Sequence, residues 1–279
     1  MIDEIVIKPK SKFSFGFDEL FQYRELLYFF TWKEIKIRYK QALLGVLWTI
    51  LQPLTMMAIF TVLLSNGLGL STGNMPATLY YFSGILIWNL FNQAVTYSAQ
   101  SMVSNANIIR KIYFPRLVIP ISAVLTASFD FLISIIIFLG IVSYYDFLGT
   151  VDVDWMWLLL HILLAFIITI FTSFSLGTFL SSFNVKYRDV RYVLPFLVQT
   201  LFFLTPVMYD ATKIQSTFIR KIIELNPLCF AIESIRYSFD SNALKFPELS
   251  IFVVVIIIVL YFMAIYTFRK TEAYFADII

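Results

Sequence analysis

Two side chains in this sequence have the chemistry to relay protons through apolar surroundings, Asp130 and His161. An isolated carboxylate at membrane depth is costly, which makes a transport or relay role the first reading. Helical rise argues against a relay between these two. Asp130 is the fourteenth of 29 residues in the apolar stretch 117–145, which places it roughly 22 Å from the far end of that stretch. His161 lies only about 9 Å into the next one. Asp130 is therefore read as protonated or hydrogen-bonded within a helix bundle, and His161 as hydrogen-bonded near an interface. No Ser, Cys or Asp constellation accompanies His161 to make a catalytic centre. Asp146, Asp152 and Asp154 cluster in a short loop, which is a poor catalytic site. The single cysteine, Cys229, and the single histidine exclude an intrachain disulfide and a Cys- or His-based metal cluster. No glycine is followed by lysine, so the phosphate-cradling G-x-x-x-x-G-K-[ST] loop is absent. The chain needs no cofactor of its own, and energy for active transport has to come from a partner or an ion gradient.

The elements that hold these groups are set by charge. Residues 41–109 include no Lys, Arg, Asp or Glu, a run that a soluble domain almost never shows. Hydrophobic residues make up 59% of the chain and charged residues 14%, against about 25% charged in soluble domains. Six apolar stretches predict membrane spans near 44–64, 78–99, 117–145, 155–183, 192–209 and 251–268. Basic residues alternate between the connections. Eight precede the first span, and Arg110, Lys111 and Arg116 follow the second. Lys186, Arg188 and Arg191 follow the fourth, and Arg269 and Lys270 follow the sixth. The loops after spans 1 and 3 have none. The positive-inside rule then places both termini in the cytoplasm. The expected class is all-α and polytopic, with a cytoplasmic N-terminal segment (1–41) and a six-helix membrane domain (42–279). The N-terminus is no signal peptide, so the first span must target the chain. Pro120, Pro195 and Pro206 predict kinks or broken ends in spans 3 and 5.

Three segments and a set of aromatic side chains are candidates for function. Leu20, Tyr23, Leu27, Phe30, Glu34 and Ile37 fall at helical spacing within 17–40, which predicts an amphipathic helix on the inner leaflet, with Trp32 and Tyr39 at headgroup level. In the inner loop Asn105–Arg116, Ile108, Ile109 and Ile112 make an apolar stripe beside Arg110 and Lys111, suited to a cleft on a partner. The outer segment 210–250 predicts two short helices broken at Asn226–Pro227, too short to cross, with Arg220, Lys221, Glu224 and Glu233 near the surface. Aromatics reach 18%, and a subset can line a path for sugars.

One stretch narrows the reading. Arg38, Tyr39, Lys40, Gln41, Leu44, Gly45, Leu47, Trp48 and Pro53 form an RYKQ–LG–LW–P order. With NANIIRKIYFPRLVIP (105–120), KYRDVRYVLPF (186–196), TPVMY (205–209) and ELNPL (224–228), it resembles the type-2 permeases of ABC transporters that export bacterial surface polysaccharides. The resemblance implies a homodimeric permease in the bacterial inner membrane, served by two copies of a separate ATPase that binds ATP and Mg. The cargo it implies is a lipid-linked polysaccharide such as O-antigen, capsule or teichoic acid, with membrane lipids around the protein and no nucleic acid. It implies ATPase coupling through Asn105, Asn107, Ile108, Arg110, Lys111, Phe114, Arg116, Lys186, Arg188 and Asp189. Trp88, Asn92, Phe196, Phe203 and Tyr209 are expected to line the channel. Phe218, Ile222, Glu224, Asn226, Pro227 and Glu233 are expected in re-entrant helices that gate its outer end. The alternatives are a type-2 exporter of a drug or lipid, and a membrane-embedded glycan-synthesis enzyme. The enzyme would need acid, His or Cys groups clustered at one membrane face.

Overall fold

In the computed structural model, which describes residues 21–40, 45–73, 75–187, 189–239, 247–272 and 275, every regular element is helical. Helix α1 (Arg24–Lys40) buries Phe30 and Ile35 and exposes Tyr28, Phe29 and Trp32 on its other side. Ile37, on the stripe expected to face the inner leaflet, is 57% exposed. Lys33 and Arg38 are both tied to the bundle, and their anchoring turns Ile35 inward instead.

Helix α2 (Leu47–Phe60) runs on through π-type turns at Thr61–Gly67, with Pro53 in its interior. It is apolar but almost unburied: only 6% of its most apolar window is covered. Helix α3 (Ala77–Ser104) is the opposite, with more than half of its residues buried. A one-turn helix α4 (Ala106–Ile109) leads to α5 (Val118–Phe147) and α6 (Trp155–Lys186). Then come α7 (Val190–Phe203), a 3-10 turn at Ala211–Lys213, α8 (Thr217–Glu224), α9 (Pro227–Tyr237) and α10 (Pro247–Glu272).

Helix α3 is the axis of the bundle. It packs mainly on α5 and α6, with α2, α7 and α9 around it, while α10 lies on the far side of α6. Small side chains permit the α3–α6 contact. A Cβ on Gly177 would stand 2.6 Å from the Cβ of Ser98, and Ala94, Ala99, Thr169, Ser173 and Ser181 are buried. Apolar surface gains nothing by leaving lipid for another helix, so close backbone approach has to supply the association.

Pairings at the helix ends fix the antiparallel order. At one end Arg116 donates to the backbone carbonyl of Glu272, and Asn184 donates to that of Ala99 at 2.9 Å. At the other, the Tyr145 hydroxyl donates to Thr78 at 3.2 Å, and the Trp155 indole donates to Asp146 at 3.2 Å. The first end is basic, with Arg110, Lys111, Lys186 and Lys270. The second is acidic, with Asp146, Asp152 and Asp154.

Among the described residues, four helices are long and apolar enough to cross a membrane: Leu47–Gly67, Val118–Phe147, Trp155–Lys186 and Ile251–Glu272. They coincide with the expected spans 1, 3, 4 and 6. Expected span 2 lies inside α3, whose 28 residues reach about 42 Å. Its Ser83, Ser98 and Ser101 are buried in the bundle, whereas Asn89 and Asn92 are half-buried. Expected span 5 shortens to the 14 residues of α7. The chain leaves the helix before Pro206, because Pro206 has no N–H to continue it and the carbonyls of Pro206 and Val207 accept from Arg236 instead.

Candidate transport path and coupling surface

Helices α2, α3 and α7 enclose a groove of about 540 Å³. Four neutral amides line it, from Gln52, Asn89, Asn92 and Gln199, together with the rings of Trp88, Phe202 and Phe203. Trp88 meets Phe202 edge-on at 5.1 Å and Phe91 at 5.5 Å. Asn92 accepts from Thr96 at 3.3 Å, which orients its amide. No formal charge is among the lining residues. Rings offer stacking faces and amides offer paired donors and acceptors, a combination that fits sugar rings with their hydroxyls.

Of the expected lining residues, Trp88, Asn92 and Phe203 are on this groove. Phe196 is 71% exposed on α7, away from it. Tyr209 also stands apart: its hydroxyl donates to the Phe203 carbonyl at 2.9 Å, and its ring packs against Ala211 and Cys229. Gln52, Asn89, Gln199 and Phe202 were not expected, although Asn89, Asn92 and Thr96 are spaced by three and four, the mark of one helix face.

The loop between α3 and α5 divides into an anchored part and a free part. Asn105 is buried, accepts from the Lys33 ammonium at 2.9 Å and donates to the Ser101 carbonyl at 3.0 Å. Ile109 and Phe114 are buried, and the Phe114 ring meets Phe30 of α1 at 5.6 Å. Ile108 is half-buried in the same cluster. The expected stripe of three isoleucines is thus divided. Helix α4 is a single turn, so Ile109 faces the chain's own core while Ile112, 60% exposed, faces out beside Tyr113, 62% exposed. Asn107, Arg110 and Lys111 are also exposed. Arg116 points away from this surface, into α10, with its guanidinium over Phe275 at 5.8 Å. At the neighbouring connection Lys186 closes α6, and an exposed Asp189 precedes α7 with its carbonyl accepting from the Tyr192 N–H at 2.9 Å. Arg188 lies outside the described residues.

Asp130 has its partners on α1. Its carboxylate accepts from Arg38 at 2.5 Å and from the Tyr39 hydroxyl. Tyr39 also lies 3.1 Å from the Thr49 hydroxyl of α2, and the Arg38 guanidinium sits over the Tyr97 ring at 4.2 Å. Burial, then the hydrogen bond to Asp130, pushes the Tyr39 phenol up to about 12. The partners of Lys33 and Arg38 lie at different heights along the bundle. Helix α1 therefore climbs from the basic end beside α5 instead of lying flat across that end. A polar cavity of about 300 Å³ beneath it is lined by Glu34, Arg38, Tyr97, Gln100, Ser101 and neighbours. His161 is remote from Asp130. Its Nδ1 lies 2.8 Å from the Trp157 carbonyl oxygen, and its ring packs between Trp157 and Tyr237.

The two short helices expected in 210–250 form as α8 and α9, with the break where it was placed. Asn226 caps α9 by accepting from the Leu228 N–H at 3.0 Å, and Pro227 occupies the first turn. Phe218 and Ile222 of α8 are exposed at 74% and 48%. The expectation that Glu224 and Glu233 lie near the surface is corrected. Glu224 is buried under Arg220, which donates to it at 2.9 Å. Glu233 is buried against Arg236 at 2.9 Å, and burial raises its carboxyl above the usual range while Arg236 opposes the rise. Arg236 also donates to the carbonyls of Pro206 at 2.9 Å, Val207 at 3.0 Å and Tyr80 at 3.2 Å, and sits 3.6 Å over the Tyr80 ring. Gly84 leaves room for it, since a Cβ there would stand 3.1 Å from Nη2. Arg236 thus fixes α9 to α3 and to the end of α7, and only α8 presents a free apolar face.

Apolar helices long enough to cross a membrane, packed around a groove lined by uncharged amides and rings, are the make-up of a membrane transport protein. Residues 25–240 match the ABC-2 type transporter family. Across 97% of its length the chain is 31% identical to the O-antigen export system permease protein RfbA of Klebsiella pneumoniae, covering 99% of that relative. Across 93% it is 28% identical to the protein of the same name from Myxococcus xanthus, covering 97% of it. The chain belongs to the ABC-2 type transporter family, in which it is a membrane permease subunit.

Proposed function

We propose that this chain is the permease half of an exporter that moves a lipid-linked surface polysaccharide, such as O-antigen, capsule or teichoic acid, across the bacterial cytoplasmic membrane. The observation that carries the proposal is the amide-and-ring groove between α2, α3 and α7. Four amides opening toward lipid would each leave polar groups unpaired at a cost of several kcal/mol. The helices at its rim, α2 and α7, are the least buried of the apolar ones. A second copy facing the first covers both rims and turns two grooves into one uncharged pore. The names of the relatives in Klebsiella and Myxococcus support a glycan as the cargo.

In this reading the chain crosses the membrane six times, with α3 and α7 completing the set and both termini in the cytoplasm, where the basic end lies. Two copies of an ABC ATPase dock on the exposed Arg110, Lys111, Ile112 and Tyr113, with Asp189 at a second contact. ATP and Mg are bound there and not by this chain. Phe30, Lys33 and the Arg38–Asp130 contact transmit motion of the loop through α1 into α5. The outer helices α8 and α9 bound the exit, with Arg236 holding α9 as a fixed wall.

The test is a deletion of the gene in its host, with lipid-linked glycan measured inside the cell and polymer at the surface. The expected result is glycan accumulating inside and missing outside, restored by the intact gene. Glycan missing from both places would assign the chain to synthesis. An unchanged surface would turn the reading to export of a drug or lipid.

A further inference from the structure

Opposite the proposed pore, at the basic end of the bundle, helices α6 and α10 enclose a separate cavity of about 490 Å³. Two ammonium groups border it, those of Lys186 and Lys270, and neither has a carboxylate partner among the described residues. Lys186 leans over the Tyr187 ring at 5.1 Å. The rest of the wall is mostly ring and hydrocarbon, from Phe183, Tyr187 and Tyr266.

The two walls continue as apolar stripes away from the lysines. On α10, Lys270, Tyr266, Phe262 and Val259 are spaced by four, four and three, and the last three are exposed at 48%, 52% and 57%. On α6, Lys186, Phe183 and Phe179 are spaced by three and four, and the two phenylalanine rings are in contact at 4.8 Å. Cations at a helix end above a continuous apolar seam match the two halves of an anionic lipid: a phosphate at the ammonium groups and an acyl chain along the seam. Basic pockets between membrane helices on the cytoplasmic side bind such headgroups, and lysine stems reach the interface from apolar positions. A free phosphate would leave the seam unused.

We infer that this cavity binds the phosphate of an anionic glycerophospholipid, with Lys186 and Lys270 as its ligands. The inference assigns Lys186 to lipid, although the sequence suggested ATPase contact. It requires only that the basic end lies at the membrane surface, so it stands or falls separately from the cargo.

The test uses the full-length chain, stripped of lipid in detergent and titrated with phosphatidylglycerol or phosphatidylcholine of matched acyl chains, with bound lipid counted by native mass spectrometry. The native chain is expected to prefer phosphatidylglycerol by roughly thirtyfold, about fivefold for each lysine. K186Q/K270Q is expected to lose the preference while still binding phosphatidylcholine, and each single variant to lose part of it. R110Q/K111Q, equally basic but outside the cavity, is expected to keep it. Absence of a preference in the native chain, or its survival in K186Q/K270Q, would overturn the inference. Full displacement of phosphatidylglycerol by excess inorganic phosphate would overturn it as well, by showing a site for the free anion.

Discussion

At the scale of single residues, membrane depth gives polar contacts their weight. The Asp130 side chain is 6% exposed and that of its partner Arg38 is 28% exposed, so removing either leaves a poorly solvated group behind. Losing one member of a buried pair costs about 3–5 kcal/mol, whereas an apolar pair of similar volume is often neutral. Asp130→Leu is expected to lower the unfolding midpoint in detergent, near the lower end of that range because Arg38 keeps some water. Asp130→Leu with Arg38→Met should recover most of the loss. If the double variant is as unstable as the single one, the pair is incidental. The sequence made Asp130 conspicuous but did not name its partner. The nearest basic group in sequence is Arg116, fourteen positions away, and only the packing of α1 on α5 brings Arg38 close. Arg236 was overlooked for a related reason. It lies in a loop with equal numbers of acids and bases, so charge counting could not distinguish a buried arginine bound to three carbonyls from a solvated one.

At the scale of elements, existence and position were legible and depth was not. Hydropathy located α2, α5, α6 and α10, because lipid demands a long apolar run. It also found α3, although polar residues interrupt its apolar run. It lengthened α7, because Pro206 and Val207 are apolar by type but serve as hydrogen-bond acceptors after the helix ends. The loop between α3 and α5 shows the limit of periodicity. Ile108, Ile109 and Ile112 share one helical face only if a helix persists, and α4 stops after Ile109. Ile112 and Tyr113 are therefore the exposed apolar pair of this loop, and the proposed docking places the ATPase there. Ile112→Asp with Tyr113→Ala is expected to abolish copurification of the ATPase while leaving the permease folded, because neither side chain is buried. Loss of the permease itself would mean the pair supports its own fold. Retained ATPase would move the docking site elsewhere.

At the scale of the molecule, polar groups are distributed in three places. The basic end carries Arg110, Lys111, Lys186 and Lys270, the centre carries the neutral amides, and the acidic end carries the capped helices α8 and α9. The family was legible from motif order, since matches spread from Arg38 to Leu228 constrain more than any one of them. The groove was only partly legible. Trp88, Asn92 and Phe203 were expected, whereas Gln52 and Gln199 are on helices whose mutual approach the sequence does not state. The central claim is that glycan passes between those amides. The direct test replaces Phe202, on the groove, with photoreactive benzoylphenylalanine, and separately Leu163, 59% exposed on α6. Cells are illuminated during export, and glycan attached to the permease is measured. The account expects glycan adducts at position 202 and none at 163. Adducts at 163 in place of 202, or at both positions equally, would contradict it.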